Sequence, residues 1–138
     1  MRAIDLIVIH CSSTRENYAL TEQALEASHR LIGFDGTGYH FYVRRDGRVL
    51  ATRPVSKVGA HVRGYNAHSI GICYEGGLDR YGNPKDTRTE WQRHSLSVLV
   101  GKLLQEYPGT CVVGHRDLSP DLNGNGEVEP MAVSYTHL

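Results

Sequence analysis

The sequence predicts an α/β domain, a central mixed β-sheet flanked by helices. Three observations carry that expectation. β-branched apolar runs stand near the start of the chain and again late in it, at AIDLIVI and CVVG. Two segments of helical period lie between those runs, and an Asp-Gly pair joins two alternating stretches in the manner of a hairpin. At 138 residues the chain is sized for one domain, able to bury roughly two-thirds of its unfolded surface.

Ala3 to Ile9 has only Asp5 polar, the pattern of a buried strand, and CSSTREN after it reads as a polar loop. TEQALEASHRLIGF places Ala24, Leu25, Ser28, Leu31 and Ile32 on one helical stripe, with Thr21 as the N-cap. After the glycine-rich turn FDGTG, YHFYVRR and RVLAT flank Asp46-Gly47, the dipeptide that tight hairpins favour. Alternation there groups Tyr39 with Phe41 and His40 with Tyr42. RPVSKVGAHVRGYNAH reads as a long irregular stretch, SIGICYE as a strand and GGLDRYGNPKDT as a loop. Thr87-Arg-Thr-Glu90 matches a capping box. The helix it opens carries Trp91, Leu96, Leu99, Val100, Leu103 and Leu104 on its inner side and ends near Tyr107-Pro108-Gly109. CVVG is the last strand, and no repeat or linker interrupts the chain.

Composition narrows the function classes. Fifteen basic and fifteen acidic side chains cancel and are scattered, which argues against a nucleic-acid partner or a membrane surface, since both need clustered positive charge. MRAIDLIVIH lacks the apolar length and cleavage site of a signal peptide, and no segment approaches membrane-spanning length. A cytoplasmic monomer is the expectation. Cys11, Cys73 and Cys111 cannot all pair within one chain and each sits in an apolar run, so buried thiols in a reducing compartment are expected.

Two of the eight histidines occupy equivalent places: His10 closes IVIH and His115 closes VVGH. If those strands are neighbours, both imidazoles emerge at one edge of the sheet. Neutral imidazole is the commonest zinc ligand, and catalytic zinc usually keeps three protein ligands and a water. The plainer alternative is a strand-end histidine bonded to a backbone carbonyl. A Cys/His hydrolase built on His10 and Cys11 is disfavoured, because adjacent strand residues point to opposite faces. Ser12 and Ser13 lack the glycine context of a nucleophile elbow.

The strings IVIHCSST, GYHFYVRRDGRV, GAHVRGYNAHSIGICYEGG and VVGHRD, in that order, resemble the zinc-dependent N-acetylmuramoyl-L-alanine amidase family. That family includes the amidase-type lysozymes of T-odd phages and the peptidoglycan recognition proteins. The likeness runs over residues 4 to 122. It implies cleavage of peptidoglycan at the amide between the lactyl group of N-acetylmuramic acid and L-alanine of the stem peptide. It implies Zn²⁺ as cofactor, with His10 and His115 as metal ligands and Tyr39 as the catalytic tyrosine beside the metal. It further implies that His61 and Asn66 bind substrate along the groove, with turn-shaping as the plain alternative for Asn66. An enzyme without a signal peptide would stay in the cytoplasm until lysis and then act on the cell wall. His29, His40, His68 and His94 are expected as surface or packing residues.

The family pattern also implies a third zinc ligand, a cysteine, and a lysine just before it, both downstream of HRD. After Pro130 neither residue occurs, and MAVSYTHL resembles nothing in the family. Residues 1–130 are therefore expected to form the amidase domain with an incomplete C-terminal part, and 131–138 a non-native tail. His137 and Asp117 stand as conceivable substitute ligands. A two-histidine site would hold zinc weakly, so a non-catalytic peptidoglycan-binding module is the competing expectation. Asp121 to Gly126 repeats the opening of a calcium loop, but the closing acidic position falls on Ala132, and an Asn-Gly turn is expected instead.

Overall fold

A computed structural model of the chain describes residues 2–114. In chain order the elements are β1 (Leu6–Cys11), β2 (Thr14–Arg15), α1 (Glu22–Leu31), β3 (Phe41–Val43), β4 (Val49–Ala51), β5 (Ser69–Tyr74), β6 (Gly77–Leu78), α2 (Glu90–Glu106) and β7 (Cys111–Gly114). Five strands form one sheet in the order β4-β3-β5-β1-β7, and only β4 runs antiparallel to its neighbour. This is the mixed sheet the sequence predicts. The two segments read as loops add β2 and β6, which pair with each other in a second small sheet.

Every residue of β5 is buried, as a strand covered on both faces requires. Alternation along it divides the interior in two. Ile70, Ile72 and Tyr74 join Ile7, Ile9 and Val43 against Leu96, Leu99, Val100 and Leu103 of α2. Cys73 turns the other way and packs with Tyr42 and with Leu25 of α1. The helices therefore lie on opposite faces, and the smaller cluster beneath α1 leaves room for polar side chains.

The helix ends and faces differ in detail from expectation. Thr21 does cap α1, accepting from the Ala24 N–H at 3.1 Å. Of the predicted stripe only Leu25 is buried; Leu31 is 88% exposed and Ile32 also faces solvent. At α2 the cap is Thr89 and its box partner is Gln92, displacing the predicted Thr87 and Glu90 by two residues. The reason is packing. Gln92 is buried, and its amide donates to the carbonyls of Val43 and Glu75 at 3.3 and 2.9 Å. Thr87 instead accepts from the Gly77 N–H. Trp91 is consequently turned outward, 68% exposed, and Leu104 is also exposed.

The predicted hairpin forms as β3–β4, but its turn is wider than an Asp-Gly pair alone. The Gly47 N–H donates to Arg44 O and the Arg44 N–H to Arg48 O, both at 2.9 Å, with Gly47 at φ 89°. That is a three-residue loop whose last position needs the left-handed region, and Gly supplies it without strain. Glu75, buried at the end of β5, accepts from the Arg44 side chain and from the N–H groups of Arg45 and Leu20, tying this loop to the approach to α1. Burial alone would raise its carboxyl. The bonds from Arg44, Arg45 and Leu20 outweigh that and hold it below the ordinary glutamate value.

No disulfide forms among the described residues, but only Cys73 is buried; Cys111 is exposed because β7 lies at the sheet edge. Among the described residues no helix is long and apolar enough to cross a membrane. The packing gives a direct stability contrast. Leu96→Ala should cost about 3 kcal/mol in urea unfolding, as for a fully buried leucine, while Trp91→Ala should cost less than about 1. Equal losses would contradict the orientation of α2.

Candidate active site

β1 presents Ile7 and Ile9 to the α2 side, so His10 is carried to the α1 side, only 3% exposed. Its ring centroid lies 5.0 Å from that of Tyr39 and 5.0 Å from that of His61. The contact with His61 is polar as well: His10 Nε2 and His61 Nδ1 are 2.9 Å apart. Cys11 packs on the opposite face against the Ile7 and Ile9 cluster, so His10 and Cys11 do not form a nucleophile–base pair.

Tyr39 reaches this cluster by breaking the predicted alternation. Gly38 to His40 form a bend, and the strand begins only at Phe41. Tyr39 therefore packs with Leu25, Tyr42 and Cys73, while Phe41 packs on the other face; the two do not share a side as expected. Burial raises the Tyr39 hydroxyl well above its ordinary pKa, and the neighbouring Cys73 and Cys11 raise it further. The phenol stays protonated at neutral pH and keeps a hydrogen to donate.

His29, predicted as surface or packing, stands against the far side of Tyr39, with ring centroids 5.4 Å apart. Its Nδ1 accepts from the Gly38 N–H at 2.8 Å, and burial lowers its pKa, so it is a neutral wall holding the bend. No sequence signal links His29 to Tyr39, because the intervening FDGTG turn makes the approach.

The loop before β5 delivers His61. The side-chain oxygen of Asn66 accepts from the N–H groups of both His61 and Val62 at 3.0 Å, which is the turn-shaping alternative for that residue. The His61 ring rests on Gly71, where a Cβ would come within 2.5 Å of it. His61 Nε2 lies 3.1 Å from Ser69 Oγ. Beneath sits His40, fully buried. Its Nδ1 accepts from the Gly71 N–H, so the proton is on Nε2, which donates to Lys57 O at 2.8 Å. His68 lies away from this cluster beside Asp5.

Among the described residues, no group of three His, Cys, Asp or Glu side chains is gathered that could hold a metal. One strand arrangement bears on it. β7 runs parallel to β1, with Gly114 the register partner of Ile9. His115, like Asp117, the Asp121–Gly126 segment and His137, lies outside the described residues.

Comparison with known proteins defines the class. Residues 1–128 match the N-acetylmuramoyl-L-alanine amidase family, and the chain belongs to that family. It is 38% identical over 112 residues to the endolysin of Enterobacteria phage K11, spanning 81% of this chain and 74% of that protein. It is 29% identical over 120 residues to a peptidoglycan-recognition protein of Drosophila melanogaster, spanning 83% and 65% of the two chains. Among solved structures, the endolysin amidase LysCS from Clostridium intestinale superposes with a TM-score of 0.74 at 34% identity, over 85% of this chain and 72% of that one.

His40 makes the fold sensitive to acid. Burial, partly opposed by the Lys57 carbonyl and aided by the nearby Arg2 and Arg53 charges, lowers its pKa from 6.5 to about 4. Between those values the unfolded chain binds a proton that the folded one does not, so stability falls as pH drops from 6.5 toward 4. The contribution is on the order of 3 kcal/mol. Unfolding free energies measured across that window should decline for the wild type and decline less for His40→Gln. Parallel pH profiles would refute the assignment.

Proposed function

We propose that the chain is a peptidoglycan hydrolase that cleaves the amide between N-acetylmuramic acid and L-alanine of the stem peptide, with zinc held by His10 and His115. One observation carries the metal assignment: Ile9 and Gly114 are register partners in a parallel ladder, and the residues that follow them in sequence are His10 and His115. The family is generally zinc-dependent, and a buried imidazole such as His10 is a donor that zinc favours. The buried imidazole of His10 fits the group, though two histidines make a weak site.

Zinc bound there would bring its water near neutrality as a nucleophile and polarise the scissile carbonyl. The chain's own residues do the rest. His10 must be neutral to bind a cation. Tyr39, protonated, can donate to the negative charge that develops on the carbonyl oxygen when the amide is attacked. Asn66 fixes the loop that carries His61, so His61 reaches the reaction centre already placed. The likeness to phage endolysins supports action on the cell wall, with the chain held in the cytoplasm until lysis.

Two substitutions test this reading. His10→Ala should lower zinc affinity, read by chelator competition, and cut stem-peptide release from purified peptidoglycan by more than about 100-fold, beyond the usual cost of an outer-shell partner. Tyr39→Phe should leave zinc affinity in place and reduce kcat roughly 100-fold, the scale of one lost oxyanion donor. A wild-type chain that binds muropeptide equally well with and without zinc and releases no product would instead be a binding module.

A further inference from the structure

The two segments that flank His10, the bend carrying Tyr39 and the loop carrying His61, meet backbone to backbone. The Ala60 N–H donates to Gly38 O at 3.0 Å, and a Cβ on Gly59 would come within 2.8 Å of both that oxygen and the His61 ring. A single backbone bond sets a distance without setting an angle, so the pair needs a second fixed point. Arg53, just beyond β4 and only 13% exposed at its side chain, supplies one. Its Nε donates to Val58 O in the His61 loop at 3.0 Å. Its Nη1 donates to Thr37 O at 3.2 Å and to Asp35 Oδ1 at 3.0 Å, both in the turn that leads into Tyr39. Thr37 is buried, so its carbonyl needs a donor from within the protein. The neighbouring Thr52 hydroxyl donates to Tyr39 O at 2.7 Å, so the residues that leave β4 grip the bend on both sides of Gly38.

We propose that Arg53 is a positioning residue for the hydrolase, fixing how Tyr39 and His61 stand to each other across His10; this rests on the roles read for Tyr39 and His61 above. His29 holds the bend and Asn66 holds the loop, each within its own segment. Arg53 holds one to the other. The planar fork is what the task requires: Nε and Nη1 lie on one rigid plane and bond two segments at once, whereas an ammonium bonds as a point on a flexible stem. His10 rides on β1, which its ladders with β5 and β7 secure independently of both segments. Losing the fork should therefore shift the two walls of the site without moving the candidate metal donor.

The test uses the full-length chain without metal and begins with NOEs between rings. Tyr39 and His61 should each show contacts with His10 in the wild type. In Arg53→Lys, which keeps the charge and loses the fork, those contacts should weaken and a muramoyl tripeptide should bind less tightly. Zinc affinity by chelator competition should not change. On purified peptidoglycan, kcat per folded molecule should fall by about 10- to 100-fold, the scale of a displacement near 1 Å. Asp35→Asn, at an exposed position, weakens one prong of the fork and should loosen the same contacts to a smaller degree, and it decides the matter if Arg53→Lys does not fold. Unchanged ring contacts in the folded variant overturn the inference, as does a parallel loss of zinc affinity, the mark of a general loosening of the fold. A wild-type chain that neither binds the tripeptide nor releases product would overturn the functional reading instead, a result distinct from the ring contacts.

Discussion

Period-two alternation along β1, locked by a neighbour on each side, is the constraint on which the rest of the molecule depends. β1 pairs in parallel with β5 over its whole length and with β7 from Leu6 to Ile9. Ile7 and Ile9 thereby face α2, and His10 faces the opposite side beside Tyr39 and His61. A slip of one residue would drive the imidazole into the apolar cluster and send Ile9 into the site. Two ladders resist that slip where one would be easier to shift. The same register sets Ile9 against Gly114 and so decides which residue follows on each strand.

Polar groups beneath α1 are tolerated only because each is answered. His40 bridges the Gly71 N–H and the Lys57 carbonyl, Asn66 collects two backbone N–H groups, and Glu75 collects two more with the Arg44 guanidinium. Buried groups left without such partners would each cost on the order of 1–3 kcal/mol. The result is a rigid floor. Gly38 belongs to it: a Cβ there would meet the Ala60 carbonyl oxygen at 2.2 Å, so the bend carrying Tyr39 and the loop carrying His61 touch backbone to backbone. Preorganisation of this kind is what a site needs to orient a scissile amide with little movement.

Much of this is legible in the residues, for identifiable reasons. AIDLIVI and SIGICYE are readable because burial on both faces explains their apolar runs, whereas CVVG is an edge strand, exposed at Cys111, whose valines alone make it legible. The Asp-Gly hairpin and the Thr21 cap follow from local chemistry, and both form. The α2 cap is not decidable from sequence, since TRTEWQ offers Thr87 with Glu90 and Thr89 with Gln92, and a buried Gln92 bonded to two distant carbonyls chooses between them. Trp91 and Leu31 show the limit of equating apolarity with burial, since both are exposed among the described residues. In the site, His10 and Tyr39 are found together through the motif strings, and His61 joins them. His29 and Ser69 carry no such signal, since only tertiary approach gives either a partner in the site.

The function proposed for this chain turns on zinc bound at His10. It is tested most directly by an anomalous difference map, at the zinc edge, of crystals of this chain grown with zinc. A peak about 2.0–2.1 Å from a His10 ring nitrogen is expected. Zinc at full occupancy elsewhere, with His10 still bonded only within the protein, would contradict it.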